Sequence, residues 1–292
     1  MNGGRVEQLA ASDVVIHAEA DIGEGPVIDH RTGRLVWVDI TAGTLIESDV
    51  ATGAEARTTV PTLLGAVAPR ESHSGFAAAI GEGFGFIVDG ALSVTDPVLP
   101  EPNRRMNDAK VDSRGRMWAG STHLEYQTGL GMLHCWDGRR ASVVVARGFA
   151  LPNGIGWSPD DRVMYFVDSY AHRLYAAPFD ADEGSVGEFH TIARVESGYP
   201  DGLAVDVDGF IWLAVWGEHE VHRYNSQGRK VAVVPMPVSQ PSSCAFGDDG
   251  TLYVTSARSG LSDDQLIKEP LAGSVFALPT DTRGVPVAPF AA

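Results

Sequence analysis

Short apolar stretches alternate with Asp- and Gly-rich turns along the whole chain, and they follow one repeated layout. A polar residue and a turn-forming residue lead into one apolar strand, and a tight turn joins it to a second strand with apolar positions in alternation. One example is Asp201-Gly-Leu-Ala-Val-Asp206, joined through Val207-Asp-Gly209 to Phe210-Ile-Trp-Leu-Ala214. Turns of this composition are typical of β-hairpins. The pattern predicts paired antiparallel strands throughout and no long helix.

Six copies of this layout span nearly all of the sequence. They begin at residues 24, 64, 107, 153, 201 and 242, so successive copies are 40 to 48 residues apart. The four-stranded blades of a β-propeller repeat at about this period. We therefore predict an all-β fold, a six-bladed β-propeller with four-stranded antiparallel blades that forms a single domain over residues 1–292.

The two ends of the sequence complete this prediction. The last copy leaves room for one further strand, at Gly273-Ser-Val-Phe-Ala-Leu278. We expect Val14-Val-Ile-His-Ala18 to supply the missing strand of that blade, because closing the ring leaves no open sheet edge. Residues 1–12 and 280–292 carry no copy of the repeat and are expected to be loosely held ends.

The net charge of the chain limits the classes of partner that it can bind. There are 22 Lys and Arg residues against 38 Asp and Glu residues, a formal net charge of −16. Such a field repels phosphate backbones and acidic lipid headgroups, so we expect no nucleic-acid and no membrane partner. The beginning of the sequence has no apolar stretch like that of a signal peptide, which favours a cytoplasmic protein. Cys135 and Cys244 form no CxxC pair and are expected to be buried small side chains.

The residues that open the six copies are the first candidates for chemistry. The innermost strand of a propeller blade lines the central channel, so these residues are predicted to form a ring at one channel mouth. They are Glu24, Leu64, Asn107, Asn153, Asp201 and Ser242. Converging oxygen atoms suit a hard divalent cation, whereas Asn-Gly and Asp-Gly pairs at strand entrances also occur merely because they tolerate positive φ. Several such residues on one ring favour a metal or ligand site.

Other polar residues are predicted to approach the same mouth. Asp39 and Asp168 end second strands there, where they either orient metal ligands from behind or cap the turns. Arg105 precedes the third copy and suits either an oxygen-rich substrate or the balancing of acidic charge. A longer insert after the next strand carries Glu125 over the mouth like a lid.

Four motifs occur in order with the spacing of the blades. They are Gly23-Glu24-Gly25-Pro26, Arg105-Met-Asn107-Asp108-Ala-Lys-Val-Asp112, Leu151-Pro-Asn153-Gly154-Ile and Tyr199-Pro-Asp201-Gly202-Leu. As a set they resemble the SMP-30/gluconolactonase (regucalcin-like) family over about residues 13 to 278. The resemblance implies one divalent metal ion held by Glu24, Asn153 and Asp201, and it leaves open whether the ion is Ca, Zn, Mn, Mg or Fe(II). It further implies substrate contacts from Arg105 and Asn107 and a lid carboxylate at Glu125.

The activity that this resemblance implies is hydrolysis of a sugar lactone to the aldonic acid. Glucono-, xylono-, arabinono- and galactonolactone are all compatible, with Asp201 as both metal ligand and general base. Two other functions stay open: a non-catalytic propeller that senses a cation or binds a protein, and a metal-dependent hydrolase of esters or phosphotriesters. A monomer and a homodimer are equally compatible with the sequence.

Overall fold

Six small sheets form a ring around a central axis in the computed structural model, which describes residues 6–9 and 12–292. Two strands precede the first blade: β1 (Glu7–Gln8) and β2 (Asp13–Ile16). Blade 1 contains β3 (Gly23–Asp29), β4 (Arg34–Asp39), β5 (Thr44–Ser48) and β6 (Glu55–Thr59). Blade 2 contains β7 (Leu64–Pro69), β8 (Phe76–Ile80), β9 (Gly83–Val88) and β10 (Ala91–Asp96). Blade 3 contains β11 (Arg104–Val111), β12 (Met117–His123), β13 (Gly131–Trp136) and β14 (Val143–Phe149).

The remaining three blades continue the same order. Blade 4 contains β15 (Pro152–Trp157), β16 (Val163–Asp168) and β17 (Arg173–Asp180), with β18 (Ser185–Val186) and β19 (His190–Arg194) both paired to β17. Blade 5 contains β20 (Tyr199–Val205), β21 (Ile211–Trp216), β22 (Glu220–Tyr224) and β23 (Lys230–Pro235). Blade 6 contains β24 (Pro241–Phe246), β25 (Thr251–Ser256) and β26 (Val275–Pro279). The six-bladed propeller predicted from the repeat is confirmed.

The ring is closed by strands from distant parts of the sequence. In blade 6, β2 pairs antiparallel with β26, with Val14 opposite Phe276, which confirms the predicted closing strand. A second pairing was not predicted: β1 adds a fifth strand to blade 5 by pairing parallel to β23, with Glu7 opposite Ala232. This pairing covers an edge that would otherwise expose unpaired backbone groups.

Large aromatic side chains fill the space between neighbouring blades. Trp37, Trp118 and Trp212 stand in the second strands of blades 1, 3 and 5 and are fully buried. The indoles of Trp118 and Trp212 also donate hydrogen bonds to the buried carboxylates of Asp112 and Asp206, at 2.8 and 2.9 Å. The repeated Asp-to-Trp spacing thus combines apolar packing with a satisfied buried acid in blades 3 and 5.

The segment 281–292, which we call the strap, corrects the prediction of a loosely held end. The strap crosses the channel at the mouth opposite the ring and hydrogen-bonds to the inner strand of blade 5, where Val285 N donates to Val205 O at 2.9 Å. Phe290 is fully buried between blades 2 and 3, with its ring stacked on Trp136 at 5.0 Å. Pro286 and Pro289 exclude a regular strand, but the buried aromatic ring and the backbone bonds hold the segment in place.

The structure describes only part of residues 1–12, the other segment that was predicted to be loosely held. Residues 1–5, 10 and 11 lie outside the described residues, whereas Glu7–Gln8 form β1. The one helix that the described chain contains, α1 (Asp263–Lys268), precedes β26 and begins with a capping box between Ser262 and Gln265. Within residues 6–9 and 12–292, no helix has the length and apolar character needed to cross a membrane.

Candidate functional site

The inner strands of the blades lose their regular pairing at one mouth of the channel. The pairing between the first and second strands shifts register once in each of four blades. The shift lies at 24–27 in blade 1, 106–109 in blade 3, 152–155 in blade 4 and 200–203 in blade 5. Blades 2 and 6 have register shifts at the corresponding places. At such bulges, successive side chains no longer alternate strictly between the two faces of the sheet, and their directions change. The residues that open the six copies lie at these bulges.

Glycines allow the bulged strands of neighbouring blades to approach one another. A Cβ atom on Gly154 would lie 2.5 Å from the carbonyl oxygen of Asp201, and one on Gly65 would lie 2.3 Å from the carbonyl oxygen of Asn107. Both distances are too short for any side chain. At these two positions the glycine of the repeat is therefore required by packing, and it lets the preceding residues, Asn153 and Leu64, lie close to the axis.

Two carboxylates and an amide meet at the centre of this mouth. Glu24, Asn153 and Asp201 are each buried, and the side chains of Glu24 and Asn153 lie next to that of Asp201. Burial, followed by the charges of Asp201 and Asp108, raises the pKa of Glu24 well above its usual value. Burial and the charge of Asp108 likewise raise the pKa of Asp201. These carboxyl groups are thus shielded from solvent and repel one another.

The same cluster contains acceptors that nothing satisfies. Asn153 donates from Nδ2 to Ser169 Oγ at 3.1 Å, which leaves its Oδ1 as a free acceptor. Within the described chain, Asn153 Oδ1 and Asp201 Oδ1 are buried and have no hydrogen-bond partner. Buried unsatisfied oxygens are rare in folded proteins and call for an explanation such as a bound ion.

Arg105 and Asn107 form the adjoining part of the site. Arg105 Nη1 donates to Asn107 Oδ1 at 2.6 Å, and Asn107 Nδ2 donates to the carbonyl oxygen of Pro152 at 2.9 Å, next to Asn153. Both side chains are buried. The charge of Arg105 lowers the pKa of Glu24 and of Asp201, although less than burial raises it. This guanidinium is therefore a buried cation beside two carboxyl groups.

Asp108 is a site residue that the sequence analysis missed. It is buried, burial raises its pKa, and its charge acts on both Glu24 and Asp201. On a regular strand, Asp108 and its neighbour Asn107 would face opposite sides. The bulge between Met106 and Ala109 removes this constraint. The signal in the sequence was two polar residues in succession where the repeat has a polar residue and a glycine.

Glu125 is placed apart from the other predicted site residues. It lies in the loop after β12, is exposed, and accepts a hydrogen bond from Gln127 Nε2 at 2.9 Å. Among the described residues, its hydrogen bonds do not reach Arg105 or Asn107. Its role as a lid carboxylate stays a prediction.

Asp39 and Asp168 cap the segments that lead into the inner strands. Asp168 accepts bonds from the two backbone N–H groups immediately before β15, at 2.9 and 3.0 Å. Asp39 accepts equivalent bonds from the two groups before β3, at 3.0 and 3.3 Å. Of the two roles that the sequence left open, the structure favours the cap, which fixes the backbone just ahead of Asn153 and Glu24.

A cavity of about 540 Å³ lies between the inner strands and the strap, and of the site residues described above Asp108 lines it whereas Glu24, Asn153 and Asp201 do not. Asp108 and Lys110 line it, together with apolar residues of the inner strands and residues 283–288 of the strap. Lys110 Nζ donates to the carbonyl oxygen of Leu203 at 2.5 Å, and burial lowers the pKa of Lys110. Cys244 is buried nearby, and Cys135 is buried in blade 3, where burial raises its pKa to about 12. Both cysteines are buried, as expected, and burial raises the pKa of each thiol.

The residues present fit a hard divalent cation. Their donors are carboxylate and amide oxygens, two of them unpaired, and their excess negative charge is buried. Within residues 6–9 and 12–292, no metal site made of three or more His, Cys, Asp or Glu side chains occurs. The candidate set differs from such a group because an asparagine supplies its third oxygen.

The fold and the site together define a class of protein: a six-bladed propeller with an acidic, oxygen-rich site at one channel mouth. Residues 22–258 match the family model described as SMP-30/Gluconolactonase/LRE-like region. Since the match covers most of the chain, the protein belongs to this family.

Two relatives and one solved structure illustrate the family. The chain is 32% identical over 285 residues to regucalcin of Danio rerio, covering 94% of this chain and 96% of the relative. It is 32% identical over 278 residues to 6-deoxy-6-sulfogluconolactonase of Pseudomonas putida, covering 92% and 95%. The crystal structure of a calcium-binding protein, regucalcin, from Agrobacterium tumefaciens superposes with a TM-score of 0.93 at 28% identity, covering 99% of this chain and 100% of that one.

Proposed function

We propose that the protein hydrolyses a sugar lactone to the corresponding aldonic acid and that it uses one divalent metal ion held by Glu24, Asn153 and Asp201. The observation that carries the proposal is the pair of buried, unpaired acceptors Asn153 Oδ1 and Asp201 Oδ1 beside the carboxyl group of Glu24. The names of relatives support the reaction, since one of them is a sulfogluconolactonase. Glucono-, xylono-, arabinono- and galactonolactone are the candidate substrates.

A lactone is an ester, so its hydrolysis needs a polarised carbonyl group and an activated water molecule. A divalent ion, when bound, supplies Lewis-acid polarisation of the carbonyl group. Asp201 takes one proton from the attacking water while the water oxygen bonds to the carbonyl carbon. The bond between that carbon and the ring oxygen then breaks, and the ring oxygen receives the proton from Asp201 and becomes a hydroxyl group of the acid.

Arg105 and Asn107 orient the substrate in this proposal. One N–H of the guanidinium is used to bind Asn107 Oδ1, which fixes the plane of Arg105 and leaves further N–H groups for the substrate. These groups suit the hydroxyls of the sugar or the negative charge that develops on the carbonyl oxygen. Glu125 would bind substrate hydroxyls from above if its loop moved over the mouth.

The proposal is tested by acid release at constant pH. Protein stripped with a chelator is given Ca, Mg, Mn, Zn or Fe(II) in turn and assayed on five- and six-membered sugar lactones, with the rate in buffer alone subtracted. We expect one or more ions to restore turnover. Asp201→Asn should lower kcat by about 100-fold or more, whereas Asp182→Asn, at an exposed carboxylate in an ion pair with Arg114, should not change it.

Two results would contradict the proposal. Normal turnover in the Asp201→Asn variant would remove Asp201 as the general base. If protein that demonstrably binds the ion releases no acid from any lactone, the result would favour ester or phosphotriester substrates, or a cation-sensing or protein-binding role, over lactone hydrolysis.

A further inference from the structure

Lys110 lies in the central channel beneath the candidate site, and the proposed reaction does not use it. It belongs to β11, two residues after Asp108, and both side chains line the cavity between the inner strands and the strap. Its Nζ donates to the carbonyl oxygen of Leu203 at 2.5 Å, and Leu203 follows Asp201 by two residues on β20. The ammonium group is therefore bound one step deeper in the channel than the carboxyl group of Asp201.

The side chain of Lys110 reaches a blade that is not adjacent to its own. β11 belongs to blade 3 and β20 to blade 5, and β15 of blade 4 lies between them. An ammonium group has three N–H donors, and the carbonyl oxygen of Leu203 takes one of them. Within the described residues, no carboxylate oxygen lies within 4.0 Å of this nitrogen. Lys110 thus forms no direct ion pair there, and its charge acts on the acidic groups from a distance.

The charges of the site residues show which groups Lys110 acts on. Burial lowers the pKa of Lys110, and the negative charges of Asp108 and Glu24 oppose this shift. Burial raises the pKa of Asp108, and the charge of Lys110 is the largest influence in the opposite direction. Arg105 acts in the same sense on Glu24 and Asp201. Three carboxyl groups and two cations therefore determine the charge of the site, and Lys110 is the cation on the channel side.

This charge balance changes when a divalent ion binds. Carboxyl groups that bind a metal do so in their charged form, so the occupied site contains three negative charges. Arg105 and Lys110 add two positive charges and the ion adds two more, which makes the occupied site positive by one charge. Without Lys110 it would be neutral. A cation near a divalent ion repels it, and the repulsion is stronger away from bulk water.

We propose that Lys110 sets the affinity of the candidate site for divalent ions, because its ammonium group repels the ion and keeps binding weaker than three carboxyl groups would make it. This inference rests on the metal site of the proposed function and assigns a residue that contacts neither the ion nor the substrate. A divalent ion feels the charge of Lys110 twice as strongly as a proton does. Removing the charge therefore tightens ion binding even where protons compete for the same carboxyl groups.

The test measures the binding of Mn²⁺ alone to chelator-treated protein at about pH 8, from the electron paramagnetic resonance signal of the free ion. Lys110→Met keeps the length of the side chain and removes its charge. We expect it to lower Kd by about 10-fold or more, the effect of a unit charge about 10 Å from a divalent ion. Lys110→Gln keeps an N–H donor without the charge and should lower Kd similarly.

Two further variants serve as controls. Lys110→Arg keeps the positive charge, so its Kd should stay within about threefold of the wild-type value. Lys230→Met makes the same change of residue type on β23, the fourth strand of blade 5 from the axis, and should leave Kd unchanged.

A merely structural role for Lys110 predicts the opposite sign. If its bond to Leu203 only held Asp201 in place, loss of the bond would weaken Mn²⁺ binding in both neutral variants, and that result would overturn the inference. An unchanged Kd in both variants would overturn it as well. If Lys110→Met does not fold, Lys110→Gln decides alone.

The outcomes separate this inference from the proposed function. Wild-type protein that binds Mn²⁺ and hydrolyses no lactone counts against the proposed reaction, and the comparison of Kd values still decides the role of Lys110. Where a lactone is hydrolysed, the Mn²⁺ concentration that gives the half-maximal rate should fall in Lys110→Met by the same factor as Kd. If neither wild type nor Lys110→Met binds Mn²⁺, the proposed metal site and this inference are both overturned.

Discussion

Buried ionisable residues inside the propeller differ in how their polar groups are paired. Glu24 and Asp201 are buried carboxyl groups side by side, with Arg105 near both and the buried Lys110 near Glu24, an arrangement that a stable core would avoid. His134 in β13 is also buried, but it is neutral and bonded through Nε2 to Ser121 Oγ at 2.9 Å. The first arrangement makes sense as a binding site, and the second as part of the structure.

His134 gives the protein a pH dependence that is separate from the site. Burial, together with the charge of Arg147, lowers the pKa of His134 to about 4. An unfolded histidine has a pKa of about 6.5, so below that pH the unfolded chain binds a proton that the folded chain does not. The stability that His134 contributes is therefore complete above about pH 6.5 and is lost as the pH falls towards 4.

Because of this residue, we expect the free energy of unfolding to fall by about 2 kcal/mol when the pH is lowered from about 7 to about 5. His134→Gln keeps a hydrogen-bonding group without the titration, so its unfolding free energy should change less between the two pH values, as measured by urea denaturation. His190→Gln, at an exposed position of β19, should keep the wild-type slope. Equal slopes in wild type and His134→Gln would show that the histidine does not titrate in this way.

The sequence predicted single site residues where each followed the repeat, and it missed those that depend on geometry between strands. Glu24, Asn153 and Asp201 open their copies, and the structure brings these three together. Asp108 was missed because its orientation depends on a bulge, which is a property of the pairing between β11 and β12. The position of Glu125 depends on a loop outside the repeat, and no periodic pattern constrains such a loop.

At the scale of elements, the strap ties together blades that are far apart in sequence. It bonds to blade 5 through Val285, to blade 2 through Phe290 N, which donates to Pro69 O at 2.8 Å, and to blade 3 through Ala291 N, which donates to Gly115 O at 3.0 Å. Strands could be predicted because each repeats a pattern six times. The strap could not, because one buried phenylalanine that follows two prolines has no period.

Phe290→Ala tests whether the strap stabilises the propeller. Removing a fully buried phenylalanine costs about 3–5 kcal/mol in folded proteins, and Phe290 has no exposed surface. We expect a loss of this size in urea denaturation, with kcat on the lactone nearly unchanged below the transition, because the strap lies at the far mouth. Val143→Ala, 57% exposed on β14, should change the unfolding free energy by less than about 0.5 kcal/mol. A loss in Phe290→Ala no larger than in this control would mean that the strap is not docked in solution.

At the scale of the whole molecule, one buried hydroxyl connects the two parts of the chain that close the ring. Ser274 Oγ donates to Ala18 O at 3.0 Å and accepts from Ala18 N at 3.2 Å. The contact lies beside the pairing of β2 with β26. The backbone groups of Ala18 therefore depend on this side chain.

Ser274→Ala should weaken the closure of the ring. It leaves a buried N–H and a buried carbonyl without partners, for which we expect a loss of about 1–3 kcal/mol in the free energy of unfolding. Ser93→Ala, at an exposed position of β10, removes a hydroxyl of the same kind and should have little effect. The two variants are compared by thermal unfolding, and equal midpoints would contradict a role for Ser274 in closure.

The closure of blade 6 also sets the order in which the molecule can be completed during synthesis. The hairpins of blades 1 to 5 pair strands that are neighbours in the sequence, so they can form one after another as the chain leaves the ribosome. The closing contact joins residues 256 positions apart. Until β26 is made, β2 exposes an unpaired strand that can pair with other chains. Cells that make this protein rapidly should therefore accumulate aggregates of nascent chains that contain five finished blades and lack the sixth.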